Sequence, residues 1–135
     1  MKNIICIACC FFALATWSQL TVNVKNVPSS NGKILLGIYN SASSFPKQDG
    51  TYKNVVVKAV KGTTKIVVNN LPKGNYAIAL YHDANSNSVM DKNFFGVPTE
   101  YYGFSNDARE TFSAPSFESA KIVYTGKMTT SITIE

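Results

Sequence analysis

The sequence predicts an all-β fold, an antiparallel β-sandwich of about seven strands with a long aromatic loop capping one end. Short runs of alternating apolar and polar residues recur about every 8–14 residues, separated by turns rich in Gly, Pro, Asn and Ser. No window of helical length repeats apolar residues at the i, i+3, i+4 and i+7 spacing that one face of a helix requires.

The N-terminal segment differs from the strands that follow it. A basic residue precedes an apolar run from Ile4 to Trp17, and small residues flank its end, as in a secretory signal peptide cut before Gln19. All three cysteines and the single tryptophan lie in this segment. We therefore expect a signal peptide at 1–18, a single sandwich domain without cysteine at 19–135, a secreted or periplasmic location and no membrane span.

Seven runs are predicted to form the strands of the sandwich. The pair Asn31-Gly32 lies between the first two runs and indicates a hairpin. The fifth run is almost continuously apolar, as expected for a central strand. The runs cover residues 20–27, 33–40, 55–60, 65–71, 76–82, 117–124 and 128–135.

The stretch between the fifth and sixth runs, 83–115, contains no convincing strand. Loops longer than about 12–15 residues are commonly functional or disordered, but this one is too aromatic for disorder. We expect it to order against the sandwich as a packed aromatic cap, or to form a binding surface. Its aromatic residues are Phe94, Phe95, Tyr101, Tyr102, Phe104 and Phe112.

The beginning of this loop resembles a calcium-binding loop. Oxygen-bearing side chains occupy positions 1, 3, 5 and 9, and a backbone carbonyl falls at position 7. Ser88 replaces the usual glycine at position 6 and Phe94 the usual glutamate at position 12, so Glu100 would have to supply a third charge. The candidate ligands are Asp83, Asn85, Asn87, the carbonyl of Val89 and Asp91.

Such a loop also has an ion-free interpretation, because Asp, Asn and Ser side chains stabilise turns by bonding to nearby backbone amides. If calcium binds, the low charge and missing glutamate predict a dissociation constant of about 10⁻⁴–10⁻³ M. The sequence leaves both interpretations open.

Two further interpretations concern a site in the loop. A hydrolase would use His82, Asp83 and Glu100, but adjacent strand residues point to opposite faces and no nucleophile elbow surrounds a serine. A carrier would bind a small apolar or carbohydrate ligand in an aromatic pocket. The candidate binding residues are His82, Glu100, Tyr101, Tyr102, Phe104 and Ser105.

The motifs from Leu71 to Ala120 resemble those of a family of small exported bacterial proteins of unknown function. They read LPKGNYA, HDANSNSVMD, GVPTEYYGFSN and PSFESA, and the family pattern prefers glycine where Ser88 stands. The resemblance implies a secreted β-sandwich with no established activity. The LPKGNY stretch is more loosely similar to transthyretin-like and carboxypeptidase-regulatory-like sandwiches, which are also immunoglobulin-like in layout.

These observations favour a non-enzymatic module over an enzyme. The formal net charge is +5, but the lysines are dispersed along the chain, which is typical of a solvated surface rather than a nucleic-acid interface. The expected partner is a small molecule, a glycan or an envelope protein, with calcium as the candidate cofactor.

Overall fold

Strands form almost all of the regular structure. The computed structural model describes residues 18–135, so the predicted signal peptide lies outside the described residues except for Ser18. The elements are β1 (Gln19–Val27), β2 (Lys33–Tyr39), β3 (Lys53–Lys58), β4 (Gly62–Asn69), β5 (Gly74–Asp83), β6 (Tyr102–Phe104), α1 (Phe117–Ala120), β7 (Ile122–Tyr124) and β8 (Lys127–Thr133), with two short 3-10 turns at Gln48–Gly50 and Ser105–Asp107.

The eight strands form two sheets, which confirms the predicted all-β sandwich. The first sheet has the order β4-β1-β8, and the second has the order β3-β2-β5-β6. The short β7 also pairs with β5, next to its N-terminal end, whereas β6 pairs near its C-terminal end. β5 is therefore central, as its apolar run predicts.

One pairing differs from the predicted antiparallel arrangement. β1 and β8 are parallel, with Leu20 opposite Met128 and Val24 opposite Ile132. Parallel strands need a long connection between them, and here nearly the whole domain intervenes. Alternation along each strand cannot distinguish parallel from antiparallel neighbours, so the sequence did not reveal this pair.

The predicted hairpin between β1 and β2 is wrong, because these strands belong to different sheets. The turn between them crosses from one layer to the other and reaches the end of β5. Gly32 has φ +67°, and a Cβ atom built there would lie 2.0 Å from the Asp83 carbonyl oxygen. The Asn-Gly signal therefore marks a close approach of two backbones and not a hairpin.

Two other boundaries also differ from the sequence prediction. Tyr102–Phe104 forms a strand inside the stretch expected to have none. Phe117–Ala120 forms one helical turn where a strand was predicted, because Ser116 caps it by accepting a hydrogen bond from the Ser119 N–H (3.1 Å). The last predicted strand before β8 therefore shortens to Ile122–Tyr124.

The main core lies between the two sheets. Alternate residues of β1, β2, β4, β5 and β8 point into it, and most are aliphatic and fully buried. The largest fully buried aliphatic side chains are Leu20, Ile34, Leu36, Ile38, Ile66, Leu71, Ile78, Ile132 and Ile134.

A second, smaller cluster covers part of the opposite face of the second sheet, called the outer face here. Phe45 packs edge-on against Tyr39 and Phe104, with ring centroids 5.2 and 5.9 Å apart. Ala77 and Ala120 complete its buried part. This cluster holds the segments before β3 and after β6 against the outer face. Among residues 18–135, no helix is both long and apolar enough to cross a bilayer.

Candidate functional site

β5 carries candidate site residues on both of its faces, because successive side chains of a strand alternate. Ile78, Leu80 and His82 point towards the main core, and Ala79, Tyr81 and Asp83 lie on the outer face. His82 and Asp83 therefore diverge, as strand geometry predicts.

His82 is 2 % exposed and lies under the turn that joins β1 to β2. Its Nε2 atom is 2.6 Å from the carbonyl oxygen of Asn31, which makes the ring a link between two segments of backbone. The hydrogen bonds of the described residues include none from His82 to Asp83 or Glu100. The His82 ring is thus bonded to the backbone of Asn31 rather than to either carboxylate.

Asp83 ends β5 as a fully buried carboxylate and organises the following loop. It accepts hydrogen bonds from the backbone N–H groups of Asn87 (3.2 Å) and Ser88 (2.7 Å). These two backbone donors satisfy the oxygens of a carboxyl group that is removed from water. The loop therefore turns around Asp83.

The other predicted ligands converge on Asp91. The side-chain amides of Asn85 and Asn87 donate to its two carboxylate oxygens at 2.7 and 2.8 Å. These bonds lower the pKa of Asp91, with Asn87 the larger contributor. The amide oxygens accept backbone N–H groups, that of Asn85 from Asn87 (3.3 Å) and that of Asn87 from Val89 (3.0 Å). The structure thus brings the predicted set together in a hydrogen-bonded loop.

Glu100 returns to this loop from nine residues further along the chain. Its Oε2 atom accepts a hydrogen bond from the Asp91 backbone N–H at 3.3 Å. Burial, with further contributions from the charges of Asp91 and Asp83, raises the pKa of Glu100 to about 7. The carboxylates of Asp83, Asp91 and Glu100 therefore lie near one another, although the calcium-loop motif itself contains only the first two.

Ser88 adopts the conformation that glycine usually supplies at this position. Its φ is 62°, and that of Ser86 is 55°, so both lie in the left-handed region that L-residues enter at a cost. The tight turn of the calcium-loop pattern is therefore formed without its glycine. The Ser88 hydroxyl also accepts a hydrogen bond from Lys33 Nζ at 2.7 Å.

A hard cation in this loop would need several kinds of oxygen ligand and not carboxylates alone. No three carboxylate or imidazole side chains within 18–135 are grouped closely enough to hold a metal by themselves. Calcium accepts amide and backbone carbonyl oxygens as well as carboxylates, and each Asn oxygen keeps a second lone pair after accepting one backbone N–H. In this structure the candidate oxygens accept hydrogen bonds from side-chain amides and backbone N–H groups of the same loop.

The aromatic residues of 83–115 divide into two groups, so the expectation of one packed aromatic cap is correct only in part. Phe104 is buried and Tyr102 half-buried in β6. Tyr101 is 41 % exposed. Phe94, Phe95 and Phe112 are 98, 85 and 100 % exposed.

Two of the exposed phenylalanines stand beside a cleft of about 790 Å³, called the outer-face cleft here. Its floor is the outer face of β2 and β5, and its walls are segments 46–48, 90–98 and 109–115. Phe95 and Phe112 line it, whereas Phe94 does not. Of the predicted binding residues, Tyr102 and Phe104 line this cleft; His82, Glu100, Tyr101 and Ser105 do not.

Ser105 is fully buried and completes the second sheet between β6 and β7. Its Oγ atom accepts the Ile78 backbone N–H at 2.9 Å and donates to the Ala120 carbonyl. The hydroxyl thus replaces a missing strand partner of β5. Arg109 pairs with Glu135 (Nε to Oε1, 2.9 Å) and stacks on Tyr102.

Tyr81 is the cleft residue that sequence reasoning missed. It is 9 % exposed, lines the cleft, and its hydroxyl has no hydrogen-bond partner among the described residues. Burial and the nearby charges of Asp83 and Glu100 raise its pKa to about 12. The strand alternation that separates His82 from Asp83 also places Tyr81 on the outer face, so this signal was available in the sequence.

Comparison with protein families identifies the group to which the chain is similar. The family described as "Uncharacterized protein conserved in bacteria (DUF2141)" matches residues 22–133. The chain belongs to this family. The match confirms the resemblance drawn from the sequence motifs, and DUF2141 spans both sheets, the Asp83–Asp91 loop and the outer-face cleft. Comparison with curated proteins and with solved structures finds no match.

Proposed function

We propose that this DUF2141 protein is a non-enzymatic binding module that is exported to the periplasm or beyond the cell. Its ligand would be a small molecule, a glycan or a segment of an envelope protein held at the outer-face cleft. The observation that carries the proposal is the cleft itself, which is walled by the 90–98 and 109–115 segments and has exposed phenylalanines at its edge.

The exposure of these phenylalanines supports binding rather than a structural cap. A packed cap would bury its aromatic side chains, which gain roughly 25 cal/mol for each Å² of apolar surface removed from water. Phe95 and Phe112 do not gain this stabilisation in the free protein, because their rings are exposed to water. A ligand that covers both rings would remove part of this apolar surface from water, as happens at many interaction sites.

The residues around Asn93, at the exposed tip of the 90–98 wall, are held in one conformation by hydrogen bonds. The Asn93 side-chain oxygen accepts the backbone N–H groups of Phe95 (2.9 Å) and Val97 (3.1 Å). The Thr99 N–H donates to the Asp91 carbonyl at 2.9 Å, so the base of the tip joins the carboxylate loop. A preformed wall supports binding because less conformational entropy is lost when a ligand arrives.

Calcium is proposed as a stabiliser of this wall. Its ligands would be drawn from Asp83, Asn85, Asn87, the Val89 carbonyl and Asp91, with Glu100 as a further carboxylate. The ion would offset the mutual repulsion of the three carboxylates and fix the loop from which the 90–98 wall emerges.

Thermal unfolding of residues 19–135 in calcium and in chelator tests the ion. Calcium at ten times its dissociation constant would stabilise the protein by about 1.4 kcal/mol, if it binds the native state alone. Asp91→Asn should abolish the increase in melting temperature, and the exposed control Asp49→Asn should retain it. Equal melting temperatures of the parent protein in millimolar calcium and in chelator would contradict the ion.

Ligand binding is tested by thermal shift against a panel of apolar small molecules, oligosaccharides and peptides. Compounds that raise the melting temperature of the parent protein should fail to do so in the double variant Phe95→Ser/Phe112→Ser. Phe94→Ser is the matched control, because Phe94 is equally exposed but does not line the cleft. No shift with any compound, or equal shifts in all three proteins, would contradict the proposed function. Cell fractionation checks export.

A further inference from the structure

We propose that the outer-face cleft binds an apolar molecule with a planar aromatic body and one oxygen acceptor, which takes the hydrogen bond of the Tyr81 hydroxyl. This inference rests on the proposed binding function and specifies the chemistry of the ligand. Three features of the cleft support it: an unpartnered donor at its floor, aromatic side chains around that donor, and a pair of phenylalanines at its edge.

The Tyr81 hydroxyl is the unpartnered donor. It is buried and makes no hydrogen bond within residues 18–135, which is rare for a buried polar atom. The Gln48 side chain lies within reach of this hydroxyl, but its amide donates to the Ser88 carbonyl (Nε2 to O, 3.1 Å). Gln48 is exposed and also lines the cleft.

The Tyr81 hydroxyl keeps its proton at neutral pH, as an ordinary phenol does, and can donate a hydrogen bond. Three carboxylates lie near it, whereas Lys47, Lys92 and Arg109 line the same cleft. The cleft therefore presents charges of both signs. What the hydroxyl requires of a ligand is an oxygen acceptor.

Aromatic side chains surround the floor of the cleft. Tyr81 and Tyr102 are aligned across β5 and β6, and Phe104 is aligned with Ala79 in the neighbouring row. Tyr39 also lines the cleft. A planar aromatic ligand can make edge or offset contacts with such rings.

Phe95 and Phe112 supply the remaining contacts. They belong to different segments, line the same cleft and are 85 and 100 % exposed. An aromatic ligand that bridges them would bury apolar surface on both walls at once. The cleft volume of about 790 Å³ lies within the range of about 300–1,000 Å³ that is usual for small-molecule sites.

The test uses prodan, a fluorescent dimethylaminonaphthalene ketone, and its analogue in which a methylene replaces the ketone. Both are titrated against residues 19–135 and followed by fluorescence anisotropy. The parent protein should bind prodan about fivefold more tightly than the analogue, the increment expected for one hydrogen bond. Tyr81→Phe should remove this preference while still binding the analogue.

Tyr39→Phe is the matched control. Tyr39 also lines the cleft, but its hydroxyl already donates to the Pro46 carbonyl at 3.2 Å. This variant should keep the fivefold preference. The two variants should also differ without ligand, since Tyr81→Phe removes an unpaired buried hydroxyl and should not lower the melting temperature, whereas Tyr39→Phe breaks a hydrogen bond and should lower it.

Equal affinity for the two compounds in the parent protein, or an unchanged preference in Tyr81→Phe, would overturn the assignment of the Tyr81 donor. Failure of both compounds to bind would overturn the aromatic ligand class. Neither result would remove the proposed function if another compound of the panel binds in a Phe95- and Phe112-dependent manner. Failure of the whole panel would remove both.

Discussion

The two faces of β5 differ in how fully the fold itself satisfies their side chains. The inner face presents Ile78 and Leu80 to an aliphatic core, and its histidine is bonded to the backbone. The outer face presents Ala79, Tyr81 and Asp83 to a cleft and a carboxylate loop. The inner residues are satisfied by the protein itself, whereas the outer face retains an unpartnered hydroxyl.

This difference indicates where a ligand can act. A surface whose polar groups are paired and whose apolar groups are packed offers a ligand little energy. The outer face retains both an unpaired donor and exposed aromatic surface at its edge. A single alternation of side chains therefore separates the packed core from the proposed binding face, and the following predictions test that separation.

The largest expected effect is on the inner face. Ile78→Ala should lower the free energy of unfolding by about 3 kcal/mol, because it leaves a cavity in a fully buried core. Phe112→Ala should change it by less than about 0.5 kcal/mol, because the ring is fully exposed. Urea unfolding measures both. Comparable losses would show that the 109–115 segment belongs to the folding core.

Ser105 lies where the outer-face segments join the sheet. Ser105→Ala should cost about 2 kcal/mol, since it leaves the buried Ile78 N–H without an acceptor. The exposed Ser113→Ala serves as the control and should be neutral in urea unfolding. A neutral Ser105→Ala would mean that β6 and β7 do not depend on this hydroxyl.

The pH dependence of stability should report the carboxylate loop at the end of the outer face. The folded-state pKa of Glu100 is raised to about 7 by burial and by Asp91 and Asp83, so the folded protein binds the proton more tightly than the unfolded chain. The stabilisation that results from the raised pKa is present in full below about pH 4.5 and is lost as the pH rises through about 7. Solvent screening should limit it to about 1 kcal/mol.

Melting in chelator between pH 4.5 and 8 measures this contribution, and Glu100→Gln is the control that should remove it. Calcium should reverse the trend above pH 7, because a bound cation favours the ionised carboxyl. Identical pH profiles for the parent protein and Glu100→Gln would show that the charges of Asp91 and Asp83 do not affect the titration of Glu100.

The smallest effect concerns the turn in the same loop. Ser88→Gly should stabilise the protein by about 0.5 kcal/mol, because glycine adopts a φ of 62° without the steric cost that serine incurs. This is a net value, since glycine also raises the conformational entropy of the unfolded chain and thereby offsets part of the gain. Ser86→Gly, which places glycine at the second left-handed position of the loop, provides a comparison. Destabilisation by Ser88→Gly would indicate that the Lys33 hydrogen bond outweighs the backbone strain.

Much of the fold was predictable because strand periodicity is local. The runs in β1, β4 and β8 alternate, and burial follows that alternation, whereas the almost continuously apolar β5 is buried along most of its length. The partners of the strands were not predictable. β1 and β2 are adjacent in sequence and lie in opposite sheets, and β8 pairs in parallel with β1.

The site was predictable where its residues are close in sequence. Asp83, Asn85, Asn87 and Asp91 form one hydrogen-bonded loop, as their spacing indicates. The cleft was not predictable, because its walls come from three separate segments. The aromatic content of 83–115 likewise did not reveal which rings would be packed and which exposed.

The sequence by itself determined the strand content, the divergence of His82 from Asp83, the carboxylate loop and the family. These depend on alternation and on spacing over a few residues. Only the tertiary structure decided the sheet order, the approach of Glu100 to Asp91, and the unpartnered position of Tyr81 in the cleft that Phe95 and Phe112 also line. Those features depend on contacts between distant segments, which are set by how the whole core packs.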